Sequence, residues 1–176
     1  MTVHQIEAVL FGLALGDALG YPVEFMSLQA IRQKYPPNGI QNVSFPAYYS
    51  DDTQMTLALA EGIMDAGIHA PIDSLMQSVS NHFIKWLNSP DNNRAPGRTC
   101  ITGVKHFQSG VHWSESGIVE SKGCGSAMRV APLGYIYQND EVRLREVSIA
   151  TSQITHRHPT AIAATVAAAY LVKLAL

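Results

Sequence analysis

The sequence predicts an all-α fold formed by a single domain, residues 1–176. Long segments place apolar residues at intervals of three and four, which is typical of helices that bury one face. Clusters of proline, glycine and asparagine separate these segments. No segment shows the alternation of apolar and polar residues that is typical of a half-buried strand. A chain of 176 residues is long enough to bury about two-thirds of its unfolded surface in one core.

The predicted helices are joined by segments of very different length. In chain order they cover residues 3–19, 27–34, 52–66, 71–88, 99–108, 140–154 and 161–176. Ser27 is a predicted cap of the second helix, Gly67 ends the third and Pro71 begins the fourth. Residues 89–99 and 113–123 are polar and are predicted to be irregular.

The first predicted helix contains glycine at every fourth position. Gly12, Gly16 and Gly20 each cost up to about 1 kcal/mol inside a helix, so their register predicts a smooth face against which another backbone packs closely. The same spacing occurs in dimers of membrane helices, but the charges of Glu7 and Asp17 favour packing in a soluble core.

Composition and charge restrict the expected partners. Hydrophobic residues make up 47% of the chain and charged residues only 15%, against roughly 25% charged residues in typical soluble domains. A net charge of −2 gives no general electrostatic attraction to nucleic acid or an anionic membrane, and neither is expected as a partner. Cys100 and Cys124 lack the spacing of a metal site or disulfide framework, which favours a reducing, cytoplasmic location. The N-terminus lacks the basic segment of a signal peptide, so no leader or anchor is expected.

Two hydroxyls and two adjacent carboxylates stand at the start of the third predicted helix, at Ser50, Asp51, Asp52 and Thr53. Such residues are preferred helix caps, and Asp near a helix N-terminus also favours the helix dipole. Consecutive Asp residues flanked by hydroxyls also form half of an oxygen-only site for a hard cation, Mg²⁺ or Mn²⁺. Glu24, in the loop after the first helix, is an ordinary solvated charge unless it faces such a site.

A second polar motif is Gly123-Cys124-Gly125-Ser126. A glycine pair that opens a helix presents backbone N–H groups to an anion such as phosphate, although the same pair is also typical of a plain turn. Cys124 stands where a nucleophile could lie. No base is paired with it in the sequence, so packing as a small residue is the expected role.

Three basic side chains near these motifs allow more than one interpretation. Arg129 is expected to form either an internal contact or a ligand contact. His156 and His158 have a spacing that could chelate a transition metal, but histidines at a helix entrance more often cap or hydrogen-bond.

Together these motifs resemble those of the ADP-ribosylglycohydrolase family. The resemblance rests on the order and spacing of four stretches that cover nearly the whole chain: Gly12-Leu13-Ala14-Leu15-Gly16-Asp17-Ala18-Leu19-Gly20 with Pro22 and Glu24, Tyr49-Ser50-Asp51-Asp52-Thr53-Gln54-Met55, Gly123-Cys124-Gly125-Ser126-Ala127-Met128-Arg129, and Thr155-His156. The resemblance implies an orthogonal helical bundle around a two-metal centre, usually magnesium or manganese. It also implies hydrolysis of the bond that joins ADP-ribose to a protein side chain or to a small molecule.

The resemblance implies a role for each matching residue. Ser50, Asp51 and Asp52 match metal ligands, and Glu24 matches an acidic residue that gates or assists the reaction. Glu24 and Asp52 are therefore the expected catalytic residues. The residues that match substrate-binding positions are Gly123, Cys124, Gly125 and Ser126 for the diphosphate and His156 for the ribose.

One family motif is missing from the chain. The family carries an Asp-x-Asp-Thr sequence that supplies the remaining metal ligands, and residues 131–176 do not contain it. The last predicted helix also ends in apolar residues without a glycine cap or polar tail. We therefore expect a truncated product, a fragment or a split half of a longer family member, which could self-associate through its uncovered C-terminal helix.

Two other classes of function stay open at this point. A chain without its second metal motif could bind ADP-ribose without hydrolysing it, or serve a structural role, as the family scaffold does in lens proteins. Alternatively, the chain is an ordinary helical interaction domain in which every polar motif is a cap or a turn. The sequence does not identify the leaving group.

Overall fold

The computed structural model describes residues 3–176, which form helices joined by loops. The α-helices in chain order are α1 (Val3–Gly20), α2 (Leu28–Lys34), α3 (Asp51–Ala66), α4 (Ile72–Leu87), α5 (Arg98–Gln108), α6 (Trp113–Ser116), α7 (Ala131–Ile136), α8 (Glu141–Gln153) and α9 (Pro159–Ala175). A short 3-10 turn, Tyr21–Val23, follows α1. Over residues 3–176 the only sheet-like pairing is a lone parallel bridge between Ile118 and His156. The predicted all-α fold is confirmed.

Local capping groups explain why the predicted helix boundaries fall close to the observed ones. The Ser27 hydroxyl accepts a hydrogen bond from the Ala30 amide at 3.2 Å and starts α2. The Asp140 carboxylate accepts one from the Arg143 amide at 2.9 Å and starts α8. Gly67 ends α3 with a φ of 89°, a backbone angle that favours glycine.

The helical hairpin of α3 and α4 forms one half of the core. The two helices approach so closely that a β-carbon at Gly62 would lie 2.6 Å from the Val79 Cα. This contact between backbones requires glycine, since any side chain at residue 62 would push the helices apart. The large side chains that the hairpin buries completely are Met55, Leu59, Ile63, Leu75, Met76, Val79 and Phe83.

The other half of the core lies among α7, α8 and α9. A β-carbon at Gly134 of α7 would lie 2.7 Å from the carbonyl oxygen of Ala169 in α9, so these helices are also in backbone contact. The Tyr170 hydroxyl of α9 donates to the Glu141 carbonyl of α8 at 3.0 Å, and Lys173 forms an ion pair with the Glu141 carboxylate.

Helix α1 differs from the prediction. Nothing lies within 4 Å of a β-carbon built at Gly12, Gly16 or Gly20, so the predicted close packing of this glycine face is wrong for the residues that the structure describes. Of the α1 side chains described, only Ala18 is buried. His4–Val23 is long and apolar enough to cross a membrane by length and composition, which is weak support for a span. The expected absence of a membrane partner stays a prediction.

Two loop predictions also need correction. The segment 113–123 is not wholly irregular, because α6 buries Trp113, whose indole nitrogen donates to the Asp73 carboxylate at 3.2 Å. The glycine pair at Gly123 and Gly125 does not open a helix. It lies in a turn in which the Cys124 carbonyl accepts from the Ala127 amide at 2.8 Å and the Met128 amide at 3.0 Å, and the next helix starts only at Ala131.

Candidate active site

An open pocket of about 610 Å³ brings together segments that are far apart in the sequence. One wall comes from the end of α1, the loop that carries Glu24 and the start of α3. The other wall comes from the glycine turn and the segment before α9, and the loop before α5, which contacts Asp51, completes the lining. Of the predicted site residues, the pocket is lined by Glu24, Ser50, Asp51, Asp52, Gly123, Cys124, Gly125 and His156.

The start of α3 is held by a carboxylate from α1. One oxygen of Asp17, Oδ2, accepts hydrogen bonds from the Ser50 amide at 2.8 Å, the Thr53 amide at 3.1 Å and the Thr53 hydroxyl at 2.6 Å. The Ser50 hydroxyl accepts from the Asp52 amide at 3.2 Å, so the predicted cap is present and Ser50 provides it. Sequence reasoning did not identify Asp17 as a site residue. A single carboxylate within an apolar, glycine-rich helix is unusual and could have indicated its role.

The loop before α5 fixes Asp51. The Asp51 Oδ2 accepts from the Gly97 amide at 3.0 Å, and the Asp51 amide donates to the Arg94 carbonyl at 2.9 Å. The Arg94 guanidinium also lies 4.6 Å from the ring centre of Tyr49 and donates to the Tyr49 carbonyl at 3.2 Å. Residues 94–97 therefore clamp the segment that carries the adjacent carboxylates. Nothing local in the sequence marked Arg94 or Gly97 for this role.

The carboxylates in the pocket repel one another. The pKa of Asp51 is raised to about 6 by burial, and the charges of Asp52 and Glu24 add to the shift although the Gly97 amide opposes it. The pKa of Asp52 is raised to about 6 by burial and by the charges of Asp17 and Glu24. Burial and Asp17 also raise the pKa of Glu24. The negative charges on this wall are therefore not balanced by neighbouring positive charges.

The oxygen atoms on this wall are of the type that binds a hard cation, but they are too few for a complete metal site. They are carboxylate and hydroxyl oxygens, which Mg²⁺ and Mn²⁺ prefer. Across residues 3–176, however, no three side chains of His, Cys, Asp or Glu converge closely enough to hold a metal ion. Two of the oxygens also have other partners, since Asp51 Oδ2 binds the Gly97 amide and the Ser50 hydroxyl caps α3.

The glycine turn lies directly against His156. A β-carbon at Gly125 would lie 2.9 Å from His156 Cε1 and 2.7 Å from the Cys100 sulfur, so glycine is required for this packing. Cys100 is buried, and burial raises the pKa of its thiol to about 11, whereas Cys124 is exposed at the pocket.

The structure does not bring Ser126 to the pocket, which corrects its expected contact with substrate. Its side chain is fully buried, and its hydroxyl forms a hydrogen bond with Thr165 at 2.7 Å. The physical reason is that the turn directs residue 126 toward α9 rather than toward the pocket. Ser126 supports the turn from behind.

The two neighbouring histidines have separate roles. The Nδ1 of His158 accepts from the Thr160 amide at 3.1 Å and caps α9, as the capping alternative predicted. His156 is almost completely buried, yet it lines the pocket. Burial and then the Arg129 charge lower its pKa to about 4, so the imidazole is neutral at physiological pH.

Arg129 lies behind the glycine turn and forms internal contacts, one of its two predicted alternatives. It is fully buried, and its guanidinium donates to the Gly125 carbonyl at 3.1 Å, the Thr151 carbonyl at 2.7 Å and the Thr155 hydroxyl at 2.9 Å. Its charge also lies over the Phe83 ring at 4.6 Å. Arg129 thus links the glycine turn to the segment that carries His156.

Comparison with known proteins gives a consistent family assignment. The family model described as ADP-ribosylglycohydrolase matches residues 2–176. An uncharacterised protein of Archaeoglobus fulgidus is 32% identical over 91% of this chain and 52% of its own length. The ADP-ribosyl-[dinitrogen reductase] glycohydrolase of Rhodospirillum rubrum is 31% identical over 87% of this chain and 51% of its own length. The ADP-ribosylarginine hydrolase Tri1 of Serratia proteamaculans is 25% identical over 92% of this chain and 44% of its own length.

The chain spans about half the length of the curated relatives that it matches. The family model nevertheless covers the glycine-rich end of α1, the carboxylates at the start of α3, the glycine turn and His156. On this match, the chain belongs to the ADP-ribosylglycohydrolase family.

Proposed function

We propose that this chain forms the binding site, and part of the catalytic site, of a hydrolase that removes ADP-ribose from a modified protein side chain or from a small ADP-ribosyl compound. The observation that carries the proposal is the juxtaposition in one pocket of clustered carboxylates and a glycine turn with His156. The names of the relatives from Rhodospirillum rubrum and Serratia proteamaculans support the same chemistry.

In this proposal the two walls of the pocket bind different parts of the substrate. The backbone of Gly123 and Gly125 lines the pocket and would bind the diphosphate, and His156 would contact the ribose region. On the other wall, Ser50, Asp51 and Asp52 would hold Mg²⁺ or Mn²⁺. When bound, such an ion supplies positive charge for the ribose hydroxyls and lowers the pKa of a water. Glu24, whose pKa is raised, faces the same space and would accept a proton from the attacking water.

The pocket should bind a divalent metal ion only weakly. Because only the first group of ligands is present, Mn²⁺ should bind with a dissociation constant on the order of millimolar or weaker. The Asp51→Asn/Asp52→Asn variant should lose this binding in calorimetry. A matched control, Glu61→Gln/Asp65→Asn, removes two carboxylates from the other end of α3 and should retain it. Equal binding by the parent and the Asp51→Asn/Asp52→Asn variant would contradict the metal assignment.

A second candidate function is binding of ADP-ribose without hydrolysis. It is favoured by the absence, in the described part of the chain, of three convergent metal ligands. Titration with ADP-ribose, followed by an assay for release of ADP-ribose from a modified arginine substrate in Mn²⁺, separates the candidates. Binding with turnover supports the hydrolase, and binding without turnover supports the non-catalytic alternative. Absence of binding would exclude both.

A further inference from the structure

A chain of buried polar groups leads from Arg129 to the imidazole of His156. A guanidinium has only N–H donors and no acceptor. When Arg129 Nη2 approaches the Thr155 hydroxyl oxygen to 2.9 Å, the arginine must therefore donate and the hydroxyl oxygen must accept. This contact fixes the direction of the first hydrogen bond in the chain.

The direction of the next hydrogen bond follows from the Thr155 proton. Thr155 is fully buried, and its hydroxyl oxygen lies 2.9 Å from His156 Nδ1. With one lone pair engaged by Arg129, the hydroxyl still has a proton to donate, and an unpaired buried donor is costly. Donation to Nδ1 satisfies that proton. Nδ1 is then an acceptor, which places the ring proton of a neutral imidazole on Nε2.

The proton on Nε2 is the one that the pocket can use. Nε2 is the imidazole atom closest to Gly123, 3.3 Å from the position of a β-carbon there, and both Gly123 and His156 line the pocket. The neutral state agrees with the environment. Burial, and after it the charge of Arg129, lowers the pKa of His156 to about 4.

We propose that Arg129, acting through Thr155, is a positioning residue that holds His156 as the neutral Nε2–H tautomer, so that the pocket presents a fixed donor to an acceptor oxygen of its ligand. The ligand class rests on the proposed function: a hydroxyl or phosphate oxygen of an ADP-ribosyl compound has the required acceptor. In this arrangement His156 does not protonate a leaving group at neutral pH, and neither of its nitrogens is free to ligate a metal.

The tautomer is measured directly by nuclear magnetic resonance of the chain labelled with ¹⁵N-histidine. The signals of His156 are assigned by their loss in His156→Gln. The parent should show a protonated Nε2 and an unprotonated Nδ1 at pH 7, and the ring should stay neutral until the pH falls to about 4. A protonated Nδ1, or an imidazolium at pH 7, would overturn the proposal.

Substitutions at Thr155 show whether its hydroxyl sets the tautomer of His156 or whether the residue only fills space. Thr155→Ser keeps the hydroxyl and should retain the parent tautomer. Thr155→Val keeps the shape but removes the proton that Nδ1 accepts, so a measurable fraction of His156 should shift to the Nδ1–H form. An unchanged tautomer in folded Thr155→Val would show that Thr155 does not set it. Arg129→Lys is less informative because the buried arginine also supports the turn.

Titration with ADP-ribose tests whether the ligand accepts a hydrogen bond from His156 Nε2. His156→Gln places an amide N–H near the Nε2 position and should bind within about threefold of the parent, whereas His156→Ala should bind about tenfold more weakly, as expected for the loss of one hydrogen bond. Equal affinity of His156→Ala and the parent would show that the ligand does not use this donor. If the parent does not bind ADP-ribose at all, the proposed function fails while the tautomer measurement still decides the state of His156.

Discussion

At the scale of single residues, Asp51 and Asp52 are held as a pair of carboxylates that the folded protein ionises with difficulty. Burial and the charges of neighbouring carboxylates raise the pKa of each side chain to about 6, whereas carboxylates in an unfolded chain ionise near pH 4. Between these pH values the folded state binds more protons than the unfolded state. Stability therefore falls as the pH rises from about 4 to about 6, and the loss persists at neutral pH.

We expect the Asp51→Asn/Asp52→Asn variant to be more stable than the parent at pH 7 by roughly 1–3 kcal/mol in the presence of a chelator. Asparagine keeps an acceptor for the Gly97 amide but carries no charge. Urea unfolding at several pH values should show that the advantage of the variant grows from pH 4 to pH 6 and is then constant.

His156 makes the stability of both proteins depend on pH in the opposite sense. Subtracting the free energy of unfolding of the parent from that of the variant removes this shared contribution and leaves the effect of Asp51 and Asp52. The lowered pKa of His156 means that the unfolded state binds its proton more readily, so that contribution to stability rises with pH from about 4 to 6.5. A difference between variant and parent that does not change with pH would refute the assigned repulsion.

At the scale of the elements, Asp17 joins α1 to α3. Its carboxylate caps a helix from a distant part of the chain and binds three donors with a single oxygen. In Asp17→Asn an acceptor oxygen remains, and the repulsion of Asp52 and Glu24 is relieved. In Asp17→Ala the two amides and the Thr53 hydroxyl lose their partner.

We therefore expect Asp17→Ala to be less stable than Asp17→Asn by about 1–2 kcal/mol in denaturant unfolding. The control is Asp140→Ala, which removes an exposed local cap from α8 and should cost less, about 0.5–1 kcal/mol. Equal stability of Asp17→Ala and Asp17→Asn would mean that the hydrogen bonds of Asp17 contribute nothing.

The same contrast between local and distant contacts explains what sequence reasoning could predict. Ser50 as a cap and Gly67 as a helix end were predictable because a cap needs only its own turn of helix. Asp17 and Arg94 were not identified as supports of the site, since their partners lie tens of residues away.

The prediction for the glycine face of α1 failed for a related reason. Spacing of small residues shows that a face can receive another backbone, but it does not show that a backbone lies there. By contrast, the close approaches at Gly62 and Gly134 were not marked by any repeated spacing. The walls of the pocket were predictable from motifs, whereas the contacts that hold the walls in place required the fold.

Over the described structure as a whole, α9 contributes to two regions of exposed apolar surface. An apolar groove runs between α1, α7 and α9, and outside this groove the α9 side chains Leu171 and Leu174 are 67% and 77% exposed. Exposed apolar surface of this kind favours association in water. The chain should therefore self-associate at micromolar concentration and bind a hydrophobic dye.

The Leu171→Gln/Leu174→Gln variant should reduce both effects in light scattering and dye fluorescence. Val142→Gln, which changes an isolated side chain of α8 that is 82% exposed, should leave them unchanged. If the α9 variant and the α8 variant behave alike, α9 is not the associating surface.

The wide separation in sequence of the two walls of the pocket has a consequence for the order in which the protein is made. Asp17, on one wall, emerges early during synthesis, whereas His156, on the other, emerges much later. Contacts between distant residues also form late in folding because a long loop must close first. A nascent chain therefore has no complete pocket before His156 has emerged, and ligand binding reports that the two walls have come together.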